Sequence, residues 1–302
     1  MHRILNYTIT SQHENIGILD FLKKQGFSRH ILASMKAEPN AILLNGTRAF
    51  GRTPLKSGDH LRIYIPDPES SDNIVSTKME LSILFEDEDL LILNKPADTP
   101  IHPSQGNYEN TLANGVACYY RSKGQPFVYR CINRLDRDTT GALILAKNPL
   151  SAALLSQQML ERRIKRTYLA LVEGIPPLKG TISAPIARVD GSTIEREVNY
   201  ETGERAVTHF ERLAENNSCS LIELHLETGR THQIRVHMKH FGYPLLGDFL
   251  YHPVYNRIQR QALHSYQLEF VHPLTGKELI FTAPVPEDFQ QAFFWNPETV
   301  LP

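Results

Sequence analysis

The feature that most constrains this chain is an apolar run, Ala142 to Ala146, that leaves a polar turn and shows no helical periodicity. A short run of that kind reads as a buried strand. The turn before it, Arg137-Asp138-Thr139-Thr140-Gly141, follows Arg134-Leu135-Asp136. One carboxylate, Asp136, is therefore expected on a loop braced by a rigid element, where catalytic groups tend to lie. The plain alternative is that Asp136 is a turn residue or the partner of Arg137.

The 302 residues suffice for one large domain and a small one. No stretch of roughly 18 apolar residues occurs, so no membrane-spanning helix is expected, and the start of the chain lacks a signal-peptide core. Cys118, Cys131 and Cys219 form no C-x-x-C pair. That argues against a disulfide framework or a Cys-rich zinc site and fits a reducing cytoplasm. The net charge of -1 hides an asymmetry: Met1 to Pro66 holds nine Lys/Arg against four acids, a net of +5, which leaves -6 for the remainder. A small basic module on a mildly acidic body suggests a polyanion held by the module, against the plainer reading of a solvated basic face.

Along the module, Ile18, Leu19, Phe21 and Leu22 mark a helix within Ile16 to Gln25, with Gly26 as its stop. Ser28 reads as the N-cap of a second helix, Arg29 to Lys36. Ala41 to Leu44 is a strand, Asn45-Gly46 a hairpin turn, and Leu61 to Ile65 a last strand. The expected order is helix, helix, small sheet. Pro66 to Asp72, rich in Pro, Ser and acid, reads as the start of an extended linker over 67–79.

The second domain, 80–302, opens with a hairpin of Ile83-Leu84-Phe85 and Leu90 to Leu93. Asn94 to Ser104 carries three prolines in eight residues and must be a shaped loop. Thr111 to Tyr120 and Ser151 to Arg163 read as helices, the latter with a basic end at Arg162, Arg163, Lys165 and Arg166. Thr167 to Val172 is a strand whose alternation sends Tyr168 and Leu169 to opposite faces. Ile182 to Arg212 reads as short strands and loops. Leu221 to Leu226 is a strand ending at Thr228-Gly229-Arg230, with Thr231 as N-cap of a helix from His232 to Phe241 and Gly242 as its stop. Ala262 to Phe270 and Leu279 to Thr282 are closing strands.

Zinc hydrolases want paired histidines beside a glutamate, as in H-E-x-x-H; His232, His237 and His240 lack that pattern. Neither G-x-x-x-x-G-K-[ST] nor G-x-G-x-x-G occurs, nor does G-x-S-x-G. A loop carboxylate, a strand tyrosine and a cluster of arginines remain. That set suits a carboxylate nucleophile or base working on a polyanion, with neither metal nor cofactor expected.

The blocks NKPADTPIHPS (Asn94 to Ser104), NRLDRDTTGALILAK (Asn133 to Lys147), KRTYLALVEG (Lys165 to Gly174), ETGRTHQIRVHMKHFGYPLLGD (Glu227 to Asp248) and ALHSYQLEFVHPLTG (Ala262 to Gly276) together resemble the RluA family of pseudouridine synthases. The front stretch, through LDFLKK, SR, LLNG and SGDHLRIYI, resembles the small RNA-binding module of a ribosomal small-subunit protein. The resemblance implies an α+β fold: a mixed, mainly antiparallel sheet with a central cleft, preceded by a helix-helix-sheet module. It implies Asp136 as the catalytic aspartate, Tyr168 as the tyrosine that packs on the target base and takes part in proton transfer, and Arg235 as the arginine paired with the aspartate. Arg134 would enter the RNA stack as the uridine leaves it. Arg137, Arg162, Arg163, Lys165, Arg166 and Arg230 are the further cations expected to hold RNA, with Lys23, Lys24, Arg29 and Lys36 on the module.

The implied reaction breaks the bond from base nitrogen to sugar and remakes it from carbon 5 of the same ring. All atoms are kept, so no redox cofactor, metal or second substrate is needed. The expected partner is structured RNA, ribosomal ahead of transfer RNA, with the chain working as a cytoplasmic monomer. A binding protein that kept the fold and lost the chemistry is the competing reading; it would have no need for Asp136, Tyr168 and Arg235 together. Asn133 stands where the family usually has His, Thr140 where Ser is common, and Asp98 where Gly is common. Thr140 keeps a hydroxyl, Asp98 is tolerable in a left-handed turn, and Asn133 and Asp98 bear on which RNA is accepted.

Overall fold

The computed structural model describes residues 2–67 and 71–293; Met1, the stretch 68–70 inside the expected linker, and 294–302 lie outside the described residues. The front module contains β1 (Arg3–Thr8), α1 (Ile18–Lys24), α2 (Arg29–Ser34), β2 (Ile42–Leu44), β3 (Thr47–Arg48) and β4 (His60–Ile65). Ser28 caps α2, its hydroxyl accepting the Ile31 N–H at 3.3 Å. Gly26 stops α1 at φ +87°, and Asn45 and Gly46 both take positive φ in the β2–β3 hairpin. The module differs from the expected order in one respect: a strand precedes the helices. β1 pairs antiparallel with β4, from Arg3 opposite Ile65 to Thr8 opposite His60, and the sheet order is β1-β4-β2-β3. No turn signal marks β1, because its partner lies at the far end of the module.

The body contains β5 (Ser82–Glu86), β6 (Leu90–Lys95), α3 (Leu112–Ser122), β7 (Thr140–Ala146), α4 (Pro149–Leu160), β8 (Lys165–Glu173), β9 (Lys179–Ser183), β10 (Ile186–Arg188), β11 (Arg196–Val198), β12 (Val207–Glu215), β13 (Cys219–Leu226), α5 (Gln233–His240), β14 (Leu263–Val271), β15 (Glu278–Thr282) and α6 (Glu287–Phe293). Its main sheet runs β5-β6-β7-β14-β8-β13-β12-β9, with β15 beside β14. Among the described residues β7 and β14 form its one parallel pair; the rest is antiparallel. This is a mixed α+β fold with a mostly antiparallel sheet. Every residue of β7 is buried, as its apolar run requires. Tyr168 packs with Val116, Ile234 and Met238 on one face, and Leu169 with Phe289 on the other. No helix among the described residues is long and apolar enough to cross a membrane.

Three local expectations are corrected. The stretch 182–212 holds the short β10 and β11 and loops, as expected, but its end from Val207 opens the nine-residue β12, which is held between β13 and β9; its polar residues mask that strand because several lie on a half-exposed face. The helix expected to reach Arg163 ends at Leu160, and Arg162 turns the chain with φ +58°. Thr231 is not the cap of α5. His232 occupies that place with φ +58° and gives no side-chain cap bond. The preceding turn is closed by Gln233, whose Oε1 accepts from Arg230 N at 3.0 Å and Thr228 Oγ1 at 2.8 Å.

Module and body share apolar surface. Leu150 of α4 is buried in the module core, where Ala153 and Leu154 also pack. Arg3 of β1 grips Asp89, just before β6, through Nε at 2.9 Å and Nη2 at 3.1 Å. The described part of 67–79 runs along the body: Arg130 pairs with Asp67, Ser71 N donates to Phe127 O at 3.2 Å, and Asn114 Nδ2 donates to Val75 O at 2.8 Å.

Candidate active site

Asp136 lies on the loop entering β7, and that loop is tied down at both ends. Before it, Ile132 N donates to Ile144 O at 2.9 Å, and Asn133 Oδ1 accepts Ile144 N at 2.8 Å. After it, Gly141 takes φ +108° where a Cβ would stand 2.2 Å from Ser265 O, so only glycine lets β14 approach this closely. Beneath the loop, Lys95 donates to Pro96 O at 2.8 Å, Thr99 O at 3.0 Å and Arg137 O at 2.7 Å. Its three ammonium donors thus stitch the proline-rich loop to the Asp136 loop. Burial pulls its pKa down to about 7, opposed by Asp138 and Asp136. Arg260 Nη1 holds Asp138 O at 3.1 Å from the other side.

Asp136 does not pair with Arg137, whose Nε instead bonds Asp98 Oδ1 at 2.6 Å. Its Oδ2 accepts Arg235 Nη1 at 3.0 Å. Arg235, on α5, is 1% exposed, whereas the Asp136 side chain is 27% exposed. A buried guanidinium needs an anion, and Asp248 supplies it: Arg235 Nε and Nη2 each reach an Asp248 oxygen at 2.7 Å. Asp248 Oδ1 also accepts Leu250 N and Tyr251 N, both at 3.1 Å. Despite burial, Asp248 and Asp136 hold the Arg235 pKa above its ordinary value. The guanidinium is thus locked on Asp248 and presents one N–H to Asp136, orienting the carboxylate while leaving it partly open to solvent.

Asp136 and Tyr168 line a cavity of about 830 Å3, and Tyr168 itself is 4% exposed. The structure brings Arg134, Arg137, Arg162, Lys165, Arg166 and Arg230 to the same cavity. Arg163 is not among its lining residues and pairs with Glu161 at 2.7 Å. Lys23, Lys24, Arg29 and Lys36 are exposed on the module, away from the cavity lining. Several rim cations carry surface partners: Arg162 with Glu227 at 3.3 Å, Lys165 with Glu269 at 3.2 Å, and Arg230 with Glu204. The side-chain Nε of Arg166 is buried with no hydrogen-bond partner among the described residues.

Sequence reasoning missed Lys95, His232, Tyr251 and Asp248 as site neighbours. Lys95 and Asp248 fall inside the family-like blocks, but nothing local marks their task. His237, grouped earlier with His232, is a core residue bonded to Thr208 Oγ1 and Ala184 O, both at 2.9 Å. Among the described residues one group of ligand-type side chains lies close enough to share an ion: Asp87, Asp89 and His272. Its atoms are engaged with one another, with backbone N–H groups and with Arg3 and Asn148, and none of the three lines the cavity.

The sequence profile for RNA pseudouridylate synthase matches residues 89–240, which include the Asp136 loop, Tyr168 and Arg235. YjbO of Bacillus subtilis, an RNA pseudouridine synthase by name, is 38% identical over 275 residues, covering 91% of this chain and 97% of its own length. The chain belongs to the RNA pseudouridine synthase family. A ribosomal large subunit pseudouridine synthase D from Zymomonas mobilis is 41% identical and covers 82% of this chain and 84% of its own. The structure of human RNA pseudouridylate synthase domain containing 1 superposes with a TM-score of 0.59 at 27% identity, over 71% of this chain and 88% of that one. This pseudouridine synthase is an RNA-modifying isomerase that turns uridine into its carbon-linked isomer. Within it, Asp98 takes the left-handed turn at φ +51°, and Thr140 Oγ1 meets His264 Nδ1 at 2.8 Å. Asn133 is 3% exposed and bonded to β7, so its amide faces protein rather than RNA.

Proposed function

We propose that this pseudouridine synthase acts on structured RNA, ribosomal ahead of transfer RNA, with Asp136 as its nucleophile or base. The observation that carries the assignment is the Asp136–Arg235–Asp248 chain: a half-open carboxylate at a cation-rimmed cavity, backed by a guanidinium that a second carboxylate fixes from behind. Asp136 attacks the base or the sugar, or takes a sugar proton, so that one hard step becomes two. The C1′–N1 bond breaks, the C1′–C5 bond forms, the proton on carbon 5 leaves, and N1 gains one. Tyr168 packs on the base in the cleft. Arg134, exposed at the cavity, fills the gap left in the RNA stack, offsetting the few kcal/mol of unstacking. The rim cations and the +5 module hold phosphate, Lys23, Lys24, Arg29 and Lys36 supplying the module's share. Ribosomal RNA as the target is supported by the name of the Zymomonas relative and goes with a cytoplasmic enzyme.

The test is Asp136→Asn, assayed by tritium release from uridine labelled at carbon 5, with binding of the same RNA measured in parallel. The amide keeps size and much of the hydrogen bonding but loses the charge. Isomerisation should vanish while binding persists. Full activity in the variant would remove Asp136 from the chemistry. Mapping pseudouridines in total RNA from cells lacking the protein identifies the target; loss confined to transfer RNA would overturn the ribosomal assignment.

A further inference from the structure

We propose that His232 is a positioning residue for Asp136, held by the Tyr251 hydroxyl as the tautomer whose Nε2–H faces the carboxylate. The argument begins at Tyr251. Its hydroxyl oxygen accepts the Arg196 backbone N–H at 2.9 Å and lies 2.9 Å from His232 Nδ1. A phenol has a single proton to give. Arg196 donates into the oxygen, and among the described residues Nδ1 is the one acceptor within reach of the phenol proton, so that proton is assigned to Nδ1. The ring's own proton is left on Nε2, and Nε2 lies 3.8 Å from Asp136 Oδ2.

Oδ2 is also the oxygen that Arg235 Nη1 holds at 3.0 Å. Oδ1 has no hydrogen-bond partner among the described residues. Arg235 and His232 therefore approach one oxygen and leave the other free for the substrate. Closing the His232 gap by about 0.8 Å makes a full hydrogen bond, a movement within reach of a carboxylate turning toward the bound uridine.

The charge of the ring matters as much as its place. Burial pulls the His232 pKa below its ordinary value; Arg235 and Arg196 push the same way, and Asp136 and Asp248 oppose. A neutral donor orients Asp136 without adding a second cation that would weaken it as a nucleophile or base. A protonated ring would stand beside Arg235 and turn an Nδ1–H toward a hydroxyl oxygen that already receives Arg196. The backbone of His232 is left-handed at φ +58°, a strained setting for a residue other than glycine, and it is kept where both ring nitrogens face polar partners.

The experiment compares His232→Gln, His232→Leu and Tyr251→Phe by steady-state kinetics and pH profile on the target RNA. Gln places an amide N–H near the position of Nε2, and both replacements bear the same left-handed backbone. His232→Leu should lower kcat at least about tenfold, the factor expected for a lost hydrogen bond to a charged group, with KM little changed. His232→Gln should recover most of kcat and lose the acid limb that the wild type owes to ring protonation. Tyr251→Phe, which leaves residue 232 itself intact, should lower kcat about 3- to 10-fold and keeps the test decisive if the Leu variant fails to fold. Gln as slow as Leu, a Gln profile that coincides with the wild type's, or Tyr251→Phe at full kcat overturns the proposal. It rests on Asp136 as the reacting carboxylate, and the two readings fail separately. An active Asp136→Asn removes that assignment, whereas an inactive Asp136→Asn beside a fully active His232→Leu removes only this one.

Discussion

Asp248→Asn puts the deepest demand on the site, because it neutralises the anion that holds a buried arginine. Asp248 receives four N–H groups: Arg235 Nε on Oδ2, and Arg235 Nη2, Leu250 N and Tyr251 N on Oδ1. Asparagine keeps one acceptor oxygen. If it stays at the Oδ1 place, the amide nitrogen meets Arg235 Nε, donor against donor. The guanidinium, 1% exposed, then has only Asp136 as an anionic partner among the described residues. Breaking a buried pair from one side costs about 3–5 kcal/mol. Asp136→Asn differs sharply, since Arg235 keeps both bonds to Asp248 and loses one partly exposed contact, at about 1.5–3 kcal/mol at most. Urea unfolding followed by circular dichroism should therefore rank Asp248→Asn as the more damaging change by a clear margin. In activity the order should reverse: on the proposed role of Asp136, Asp136→Asn should be inactive, and Asp248→Asn should keep a residue of turnover, because its carboxylate survives on a loosened arginine. An Asp248→Asn protein within about 1 kcal/mol of the wild type would refute the view that Asp248 supports Arg235.

Arg134→Ala should spare the fold and cut turnover strongly on uridine embedded in a duplex, but less on a target already unpaired; equal losses on both substrates would remove the stack-filling role. Replacing Lys23, Lys24, Arg29 and Lys36 by Gln should flatten the slope of log affinity against log salt by up to about 3.6, at roughly 0.7–0.9 per phosphate contact, and an unchanged slope would take the module off the RNA. This substitution is preferred to deleting the module, which would bare Leu150 and Leu154 of α4. His264 is buried, and burial pulls its pKa to about 4. The unfolded chain, with a histidine pKa near 6.5, takes the proton first as pH falls, so stability is lost between about 6.5 and 4, by about 2 kcal/mol at pH 4.5. Urea titrations of wild type and His264→Gln at pH 7 and 4.5 measure it, and identical acid losses in both would refute the assignment to His264.

What the sequence determined by itself was local. The apolar run of β7, the Ser28 cap, the Asn45-Gly46 turn, the stops at Gly26 and Gly242, and the opposed faces of Tyr168 and Leu169 follow from backbone preference and from periods of 2 and 3.6. The family-like blocks also carried Asp136, Tyr168 and Arg235, the residues proposed for the chemistry, because residue identity is written in the chain. The pairings were not. Asp136 meets Arg235 from 99 positions away, and Lys95 reaches Arg137 O across 42. β1 was invisible until β4 closed the module, and β12 until β13 and β9 flanked it. His232 displaced Thr231 at the start of α5 because Gln233 closes the turn from within. The turn before α5 is closed by bonds three and five residues long; the other deciding bonds join residues far apart in the chain that only the completed fold brings together. A polar group buried by that closure must find its partner wherever the packing has placed one, and a local pattern holds no record of where that is.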